Sequence, residues 1–317
     1  MKEFRTVIQP EPSKNKINYQ TPLMFMGSCF TENIGNKMLE LKFPALVNPF
    51  GVLYNPFSVR NSLEILIDHM KFTKDDLCFF NDQWLSFNHD TEFSNENQED
   101  CLKRINSSVE AASKHIRNSK FLIISLGTAW VYKHKKTSKV VSNCHKIPSK
   151  EFERILLEPA DIFVEWSNLI NRLLSLNKKL KIIFTVSPIR HWKDGAIQNQ
   201  LSKSTLILAI HQLIKEIPNI EYFPAYEIMM DDLRDYRFYA NDMIHPSNMA
   251  IDYIWEQFSK TYFEKETNDI INEVNKILLA ENHHPFKQET ESHKKFLQNL
   301  KKEKDLINRK HPFIKFD

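Results

Sequence analysis

Five short apolar runs punctuate the chain: "LMFM" (residues 23–26), "ALV" (45–47), "FLIISL" (121–126), "KIIFTVS" (181–187) and "IEYF" (220–223). They are too short for helices, rich in β-branched or aromatic residues and followed by turn or polar residues, which predicts strands buried on both faces. Between them the apolar positions shift to a helical period, over Thr31 to Leu41, Ser58 to Met70, about 98–117, about 161–176 and 198–217. In the last of these, Leu201, Leu206, Leu208, Leu213 and Ile217 make the expected apolar stripe. Continuous strands alternating with amphipathic helices predict an α/β fold with a parallel sheet covered on both faces. Sheets of this kind carry their sites at the carboxyl ends of the strands.

Two segments break the alternation. "LCFFNDQWLSF" sets Asn81-Asp82 between alternating apolar arms, and "WVYKHKKTSKVVSNCH" has a polar tip between two strand-like arms. Both read as β-hairpin insertions that could wall a pocket. From residue 264 onward the chain turns charged and helical, so the expected division is a main α/β domain over 1–263 and a helical C-terminal extension over 264–317. That extension is expected to stand outside the sheet, solvated or in contact with another copy in an oligomer.

Composition narrows the function classes. A hydrophobic fraction of 42% beside 26% charged residues is that of a folded globular protein. A formal net charge of +3 gives no field demanding nucleic acid. No run approaches the roughly 20 apolar residues of a membrane span, and the first residues lack the apolar core of a signal peptide, so a cytoplasmic protein is expected. The four cysteines, Cys29, Cys78, Cys101 and Cys144, form no CxxC pair, and free thiols are expected. Neither "DHM" (68–70) nor His283-His284 has metal-ligand spacing, so no metal and no cofactor are expected.

The chain has only five glycines, and two fall in "MFMGSCFTENIG" (24–35). A glycine at a strand end is justified where backbone must turn or approach something closely, and Gly27 directly precedes Ser28. A serine there begins a βα loop beside free helix N-terminal amides, a setting suited to a nucleophile. Serine attacks only if a base takes its proton, and "YANDMIHPSNMA" (239–250) offers one: Asp242 and His245, three positions apart, would share one side of a tight turn. Asp242 would accept the Nδ1 proton and leave Nε2 of His245 for Ser28. Pro246 disfavours helix at His245, and Ser247 is a candidate N-cap for the helix that follows. Taken alone, Gly-Ser at a strand end is ordinary turn chemistry and Asp-x-x-His-Pro is an ordinary loop; the combination on this frame carries the weight.

Several motifs together, "GSCF" (27–30), "SLGTAWVY" (125–132), "NCHK" (143–146), "TVSPIRHWKDG" (185–195) and "DDLRDYRFYANDMIHPS" (231–247), resemble the GSCFA family, a branch of the SGNH/GDSL hydrolase superfamily. The resemblance spans about residues 20–260 and departs from the family letters at Thr31, where the name has Ala. It implies a three-layer α/β/α sandwich with a flavodoxin-like parallel sheet. It also implies a serine-dependent acyl-ester hydrolase in which Ser28 matches the nucleophile and Asp242 with His245 the Asp-x-x-His block. For the oxyanion hole it implies the Ser28 N–H and Gly51 of "NPFGVLYNP". The third donor departs from the pattern, with Ala129 where an asparagine is expected, leaving Thr128 or Asn143 as substitutes.

Other residues have two readings each. Cys29 is a rival nucleophile or a packed thiol beside Phe30. His145 lines the pocket opposite Ser28 or caps the hairpin. Arg190 and His191, just past the fourth apolar run, are substrate-binding candidates for an anionic or polyol group, unless Arg190 only pairs with an acid of "MMDDLRD". The expected substrate is a small-molecule or carbohydrate ester, with an O-acetyl sugar favoured by superfamily analogy. The rivals are an acyltransferase using the same residues and a non-catalytic binder that retains the fold.

Overall fold

The protein is described by a computed structural model over residues 5–281 and 290–316. Among these residues the strands are β1 (Leu23–Gly27), β2 (Ala45–Val47), β3 (Cys78–Phe80), β4 (Gln83–Leu85), β5 (Phe121–Leu126), β6 (Trp130–His134), β7 (Val140–Val141), β8 (Phe152–Leu156), β9 (Lys181–Val186) and β10 (Ile220–Tyr222). The helices are α1 (Cys29–Glu40), α2 (Pro56–Ile67), α3 (Gln98–Asn118), α4 (Pro159–Leu176), α5 (Gly195–Glu216), the short α6 (Ala225–Glu227), α7 (Asn248–Tyr262), α8 (Lys265–Glu281) and α9 (Glu291–Lys310). The five apolar runs are the five strands of one parallel sheet, ordered β10-β9-β5-β1-β2. Every residue of β1 and β5 is buried, as expected of strands covered on both sides.

Alternation along the strands sorts their side chains into two cores. Met24, Met26, Leu122, Ile124, Ile182 and Phe184 pack against helices α2 to α5 on one face. Leu23, Phe25, Phe121, Ile123 and Ile183 pack against α1 and α7 on the other. The result is a three-layer α/β/α sandwich. Strand order reverses between β1 and β5, so the crevice that can take a ligand opens there, past Gly27 and Ser125, which face each other in register.

The "LCFFNDQWLSF" hairpin forms as β3 and β4, with Asn81 and Asp82 at φ 54° and 59°, the left-handed pair of a tight hairpin turn. The second insertion gains a strand that its sequence did not announce: β8 joins β6 and β7 in a three-stranded antiparallel sheet. Two further expectations change. On α5 the buried stripe is Asn199, Lys203, Leu206, Ile210 and Leu213, while Leu201 and Leu208 face solvent. The C-terminal extension is helical, but it does not stand apart. Ile270, Ile271, Val274 and Ile277 of α8, with Leu300 and Ile307 of α9, are buried in the core that β1 shares. Those α8 positions repeat at helical spacing, and their burial closes the layer over α1 and α7. The N-terminal arm is held to the same layer through the Ile17 N–H, which donates to the Tyr262 carbonyl at 2.8 Å. Among the described residues no helix is long and apolar enough to cross a membrane.

Candidate active site

Gly27 answers a steric demand. It sits at φ +131°, and a Cβ there would fall 2.1 Å from the Ser125 carbonyl oxygen. Only glycine lets β1 approach β5 this closely before the chain turns into α1. The turn is pinned on both sides: the Gly27 N–H donates to Asn48 Oδ1 at 2.9 Å, and the Ser28 N–H to the Ser125 carbonyl at 3.0 Å.

The same turn buries Ser28. Its residue is 1% exposed, and Oγ lies 2.8 Å from Ser125 Oγ while accepting from the Phe30 N–H at 3.3 Å. Ser28 is therefore the N-cap of α1, a role in which serine stabilises a helix by satisfying one of its first amides. The hydroxyl is buried and bonded at the turn, and neither Ser28 nor Cys29 makes a hydrogen bond with His245. Cys29 is the next residue and the first of α1; unlike Gly27, Ser28, Phe30 and Thr31, it is partly exposed. Burial raises its thiol above the ordinary value, whereas the amides of Cys29 and Phe30 and the Lys203 cation pull it down.

Lys203 is the residue that composition and motif gave no reason to notice. It is fully buried, with Nζ donating at 2.7 Å to each of the Gly127 and Ser187 carbonyls, beyond the carboxyl ends of β5 and β9. Desolvation lowers its pKa to about 7. Its place on a stripe with Leu206, Ile210 and Leu213 was the available signal: a lysine in phase with buried leucines needs buried partners.

The expected oxyanion donors are largely committed elsewhere. The Gly51 N–H donates to the Asn48 carbonyl at 2.8 Å. Thr128 Oγ1 lies 3.0 Å from Ser202 Oγ and accepts from the Trp130 N–H. Asn143 Nδ2 donates to Asp90 and Thr91 at 3.3 and 3.2 Å. The Cys29 N–H differs, since among the described residues it meets only its own side-chain sulfur.

Beside the elbow the three-stranded sheet and the 187–195 loop enclose a cavity of about 390 Å³, lined by Tyr54, Trp130, Tyr132, Arg154, His191 and Asp194 among others. That volume is in the range of small-ligand sites. Arg154 pairs with Asp194 and stacks over the Trp130 ring at 4.5 Å. Tyr54 joins cavity to elbow: its ring meets His191 edge-on at 5.8 Å, its carbonyl accepts the Gly127 N–H, and Cys29 is among the groups that raise its hydroxyl pKa. The two substrate-binding candidates past β9 diverge. His191 lines this cavity, whereas Arg190 lines a separate hollow of about 230 Å³ with Tyr239 and Ile244, where its Nε meets Met230 Sδ and not an acid. His145 belongs to neither. Its ring is buried, with Nε2 2.9 Å from the Ser86 carbonyl, so it fastens two loops together.

Asp242 and His245 meet as their spacing predicts. Nδ1 lies 2.5 Å from Asp242 Oδ2, and the N–H groups of Ile244 and His245 donate to Oδ1 at 2.9 Å each. Those two amides, then the imidazole, hold the Asp242 carboxyl down to about 2. His245 Nε2 has no partner among the described residues, and both side chains are about half exposed. The loop leads straight into α7, capped by Ser247 as expected, and α7 packs beside α1, where Lys37 bonds Asp252.

No group of three or more His, Cys, Asp or Glu among the described residues is arranged to hold a metal; His283 and His284 lie outside those residues. No curated protein matches the chain in sequence. Solved structures with a similar backbone include a carbohydrate esterase family 3 protein from Talaromyces cellulolyticus, at TM-score 0.36 and 9% identity over 81% of this chain and 99% of that one. Another is a proposed acylhydrolase from Bacteroides fragilis, at TM-score 0.37 and 11% identity over 85% and 92%. The profile of the GSCFA family matches residues 22–258, well over half of the chain, and the protein belongs to that family.

Proposed function

We propose that the protein is an acyl-ester hydrolase that works through a covalent acyl-enzyme. A nucleophile on the Gly27–Ser28–Cys29 elbow attacks the ester carbonyl, His245 takes and returns the proton, and Asp242 keeps the imidazole in the tautomer with Nε2 free. The observation that carries this reading is the Asp242–His245 pair, in which one ring nitrogen is fixed by a carboxylate and the other has no described partner.

For the substrate, the reading is a small O-acetylated carbohydrate. Trp130 and Tyr132 give the cavity flat apolar walls, and Arg154 with Asp194 gives it polar edges, a combination that suits a sugar ring. One observation favours a binder without turnover: Gly51, Thr128 and Asn143 are all engaged by protein partners, which leaves few donors for a tetrahedral oxyanion. The test is acetate release from acetylated mono- and disaccharides and from p-nitrophenyl acetate, with the His245→Ala variant alongside. Release that depends on His245 supports the hydrolase. Binding of the sugars by calorimetry with no release from any ester would leave the binder.

A further inference from the structure

We infer that the reacting atom of the elbow is Cys29 Sγ and that Ser28 is its structural support; this rests on the acyl-transfer reading above. Three independent features of the elbow agree. Ser28 Oγ is buried, bonded to Ser125 Oγ and accepting the Phe30 N–H. Cys29 is partly exposed at the first position of α1, where helix amides favour negative charge. Beneath the same crevice lies a buried lysine, Lys203, which docks on the carbonyl of Gly127 two residues past the register partner of Gly27. Lys203 reaches there from α5, where burying its amine needs those backbone partners, and it acts electrostatically on the Cys29 sulfur.

The chemistry closes without another reactant. The Cys29 thiol gives its proton to His245 Nε2 as sulfur attacks the ester carbonyl. The acyl C–O bond then breaks, and the departing alkoxide takes the proton from the imidazolium, leaving a thioester. His245 deprotonates a water, which attacks the thioester; the carboxylic acid leaves and the sulfur recovers its proton. A thiol demands less of its base than an alcohol does, because its ordinary pKa is far lower. The groups that act electrostatically on the sulfur are Glu32 on its own helix, Tyr54 from the loop before α2, and Lys203 from α5, itself beside Arg190 and the Tyr226 ring; the transfer requires the exposed His245 loop to close on Cys29.

The decisive experiment is acid quenching of the wild-type protein during turnover of p-nitrophenyl acetate, followed by peptide mapping. The expected adduct is an acetyl group on Cys29, removed by neutral hydroxylamine as a thioester is. Cys29→Ala should lose turnover by at least about 100-fold. Methyl methanethiolsulfonate should block the wild type, with activity restored by dithiothreitol, which separates lost chemistry from lost folding. An acetyl group found on Ser28, or undiminished turnover by Cys29→Ala, would overturn the assignment of Cys29 and leave the esterase reading intact. No turnover and no adduct with any ester would overturn the esterase reading itself.

Discussion

At the β1–β5 junction Gly27, Ser28, Ser125 and Lys203 are buried and their polar atoms are matched pairwise, whereas on the 242–245 loop His245 is half exposed and one of its nitrogens has no described partner. The junction is held by contacts that folding itself must make. The loop is held by a local carboxylate turn and by backbone bonds from Ala240 to the His245 carbonyl and from Ser247 to the Phe238 carbonyl. Preorganised polar groups fix a site's geometry, and an unfilled group marks where chemistry is free to happen. If this contrast is right, substitutions at the junction register as stability and substitutions on the loop register as activity.

The largest effect is expected from Lys203 through pH. Its pKa is lowered to about 7 in the folded chain against an ordinary 10.5, so between those values the unfolded chain holds a proton that the folded chain lacks. Stability of the wild type therefore rises with pH across this window, and burial of the charge costs on the order of 5 kcal/mol once the pH is below about 7. Lys203→Met removes that term. Relative to the wild type, the variant should be most favoured at pH 6 and should lose its advantage steadily toward pH 10, as urea denaturation at several pH values would show. A difference that does not change with pH would mean that Lys203 keeps its ordinary proton, and the junction would lose its unusual feature.

His245→Ala tests the other half. Removing a general base typically costs 100- to 10,000-fold in rate, about 3 to 5 kcal/mol of barrier. The exposed loop should lose almost nothing in stability, within about 0.5 kcal/mol. Ester hydrolysis and a thermal melt on the same sample read both quantities. A large drop in melting temperature would place His245 among the structural groups and dissolve the contrast.

Gly27→Ala reverses the pattern. The added Cβ would sit 2.1 Å from a backbone oxygen that cannot move without disturbing β5, at a φ that alanine disfavours. A loss of about 3 kcal/mol is expected. Chemical denaturation should show it, and whatever fraction remains folded should keep its Asp242–His245 pair. A variant as stable as the wild type would show that the junction tolerates rearrangement and that the elbow is not fixed by Ser125.

What the sequence disclosed of this contrast follows from the range of each signal. The inner strands β1, β5 and β9 were legible because burial on both faces writes an unbroken apolar run, the partly exposed edges β2 and β10 only as short apolar stretches, and the β3–β4 turn because Asn81-Asp82 accepts left-handed backbone. Asp242 and His245 were legible because a separation of three residues can meet within one turn. Strand β8 was hidden by its own chemistry, since Glu153 and Arg154 break the apolar run. Ser28 and Cys29 posed a harder problem. They are neighbours in the chain, and which one turns inward depends on where α1 begins and on a hydroxyl of β5 that lies 97 positions away. No local pattern carries that, and neither does one carry the two backbone carbonyls that receive Lys203.

Ser125→Ala is the smallest and most selective test. It removes the hydroxyl 2.8 Å from Ser28 Oγ but keeps the Ser125 carbonyl that receives the Ser28 N–H. Ser28 can still cap α1 through the Phe30 N–H, so the expected loss is that of one buried hydrogen bond, about 1 kcal/mol. If Ser28 were the nucleophile, freeing its hydroxyl from Ser125 would change the hydrolysis rate strongly in one direction or the other. If it only supports the helix that presents Cys29, hydrolysis should stay within about threefold of the wild type while the denaturation midpoint falls, since a 1 kcal/mol loss leaves the population folded. Measuring both on one preparation separates the capping role from the chemical one, without touching either residue in question.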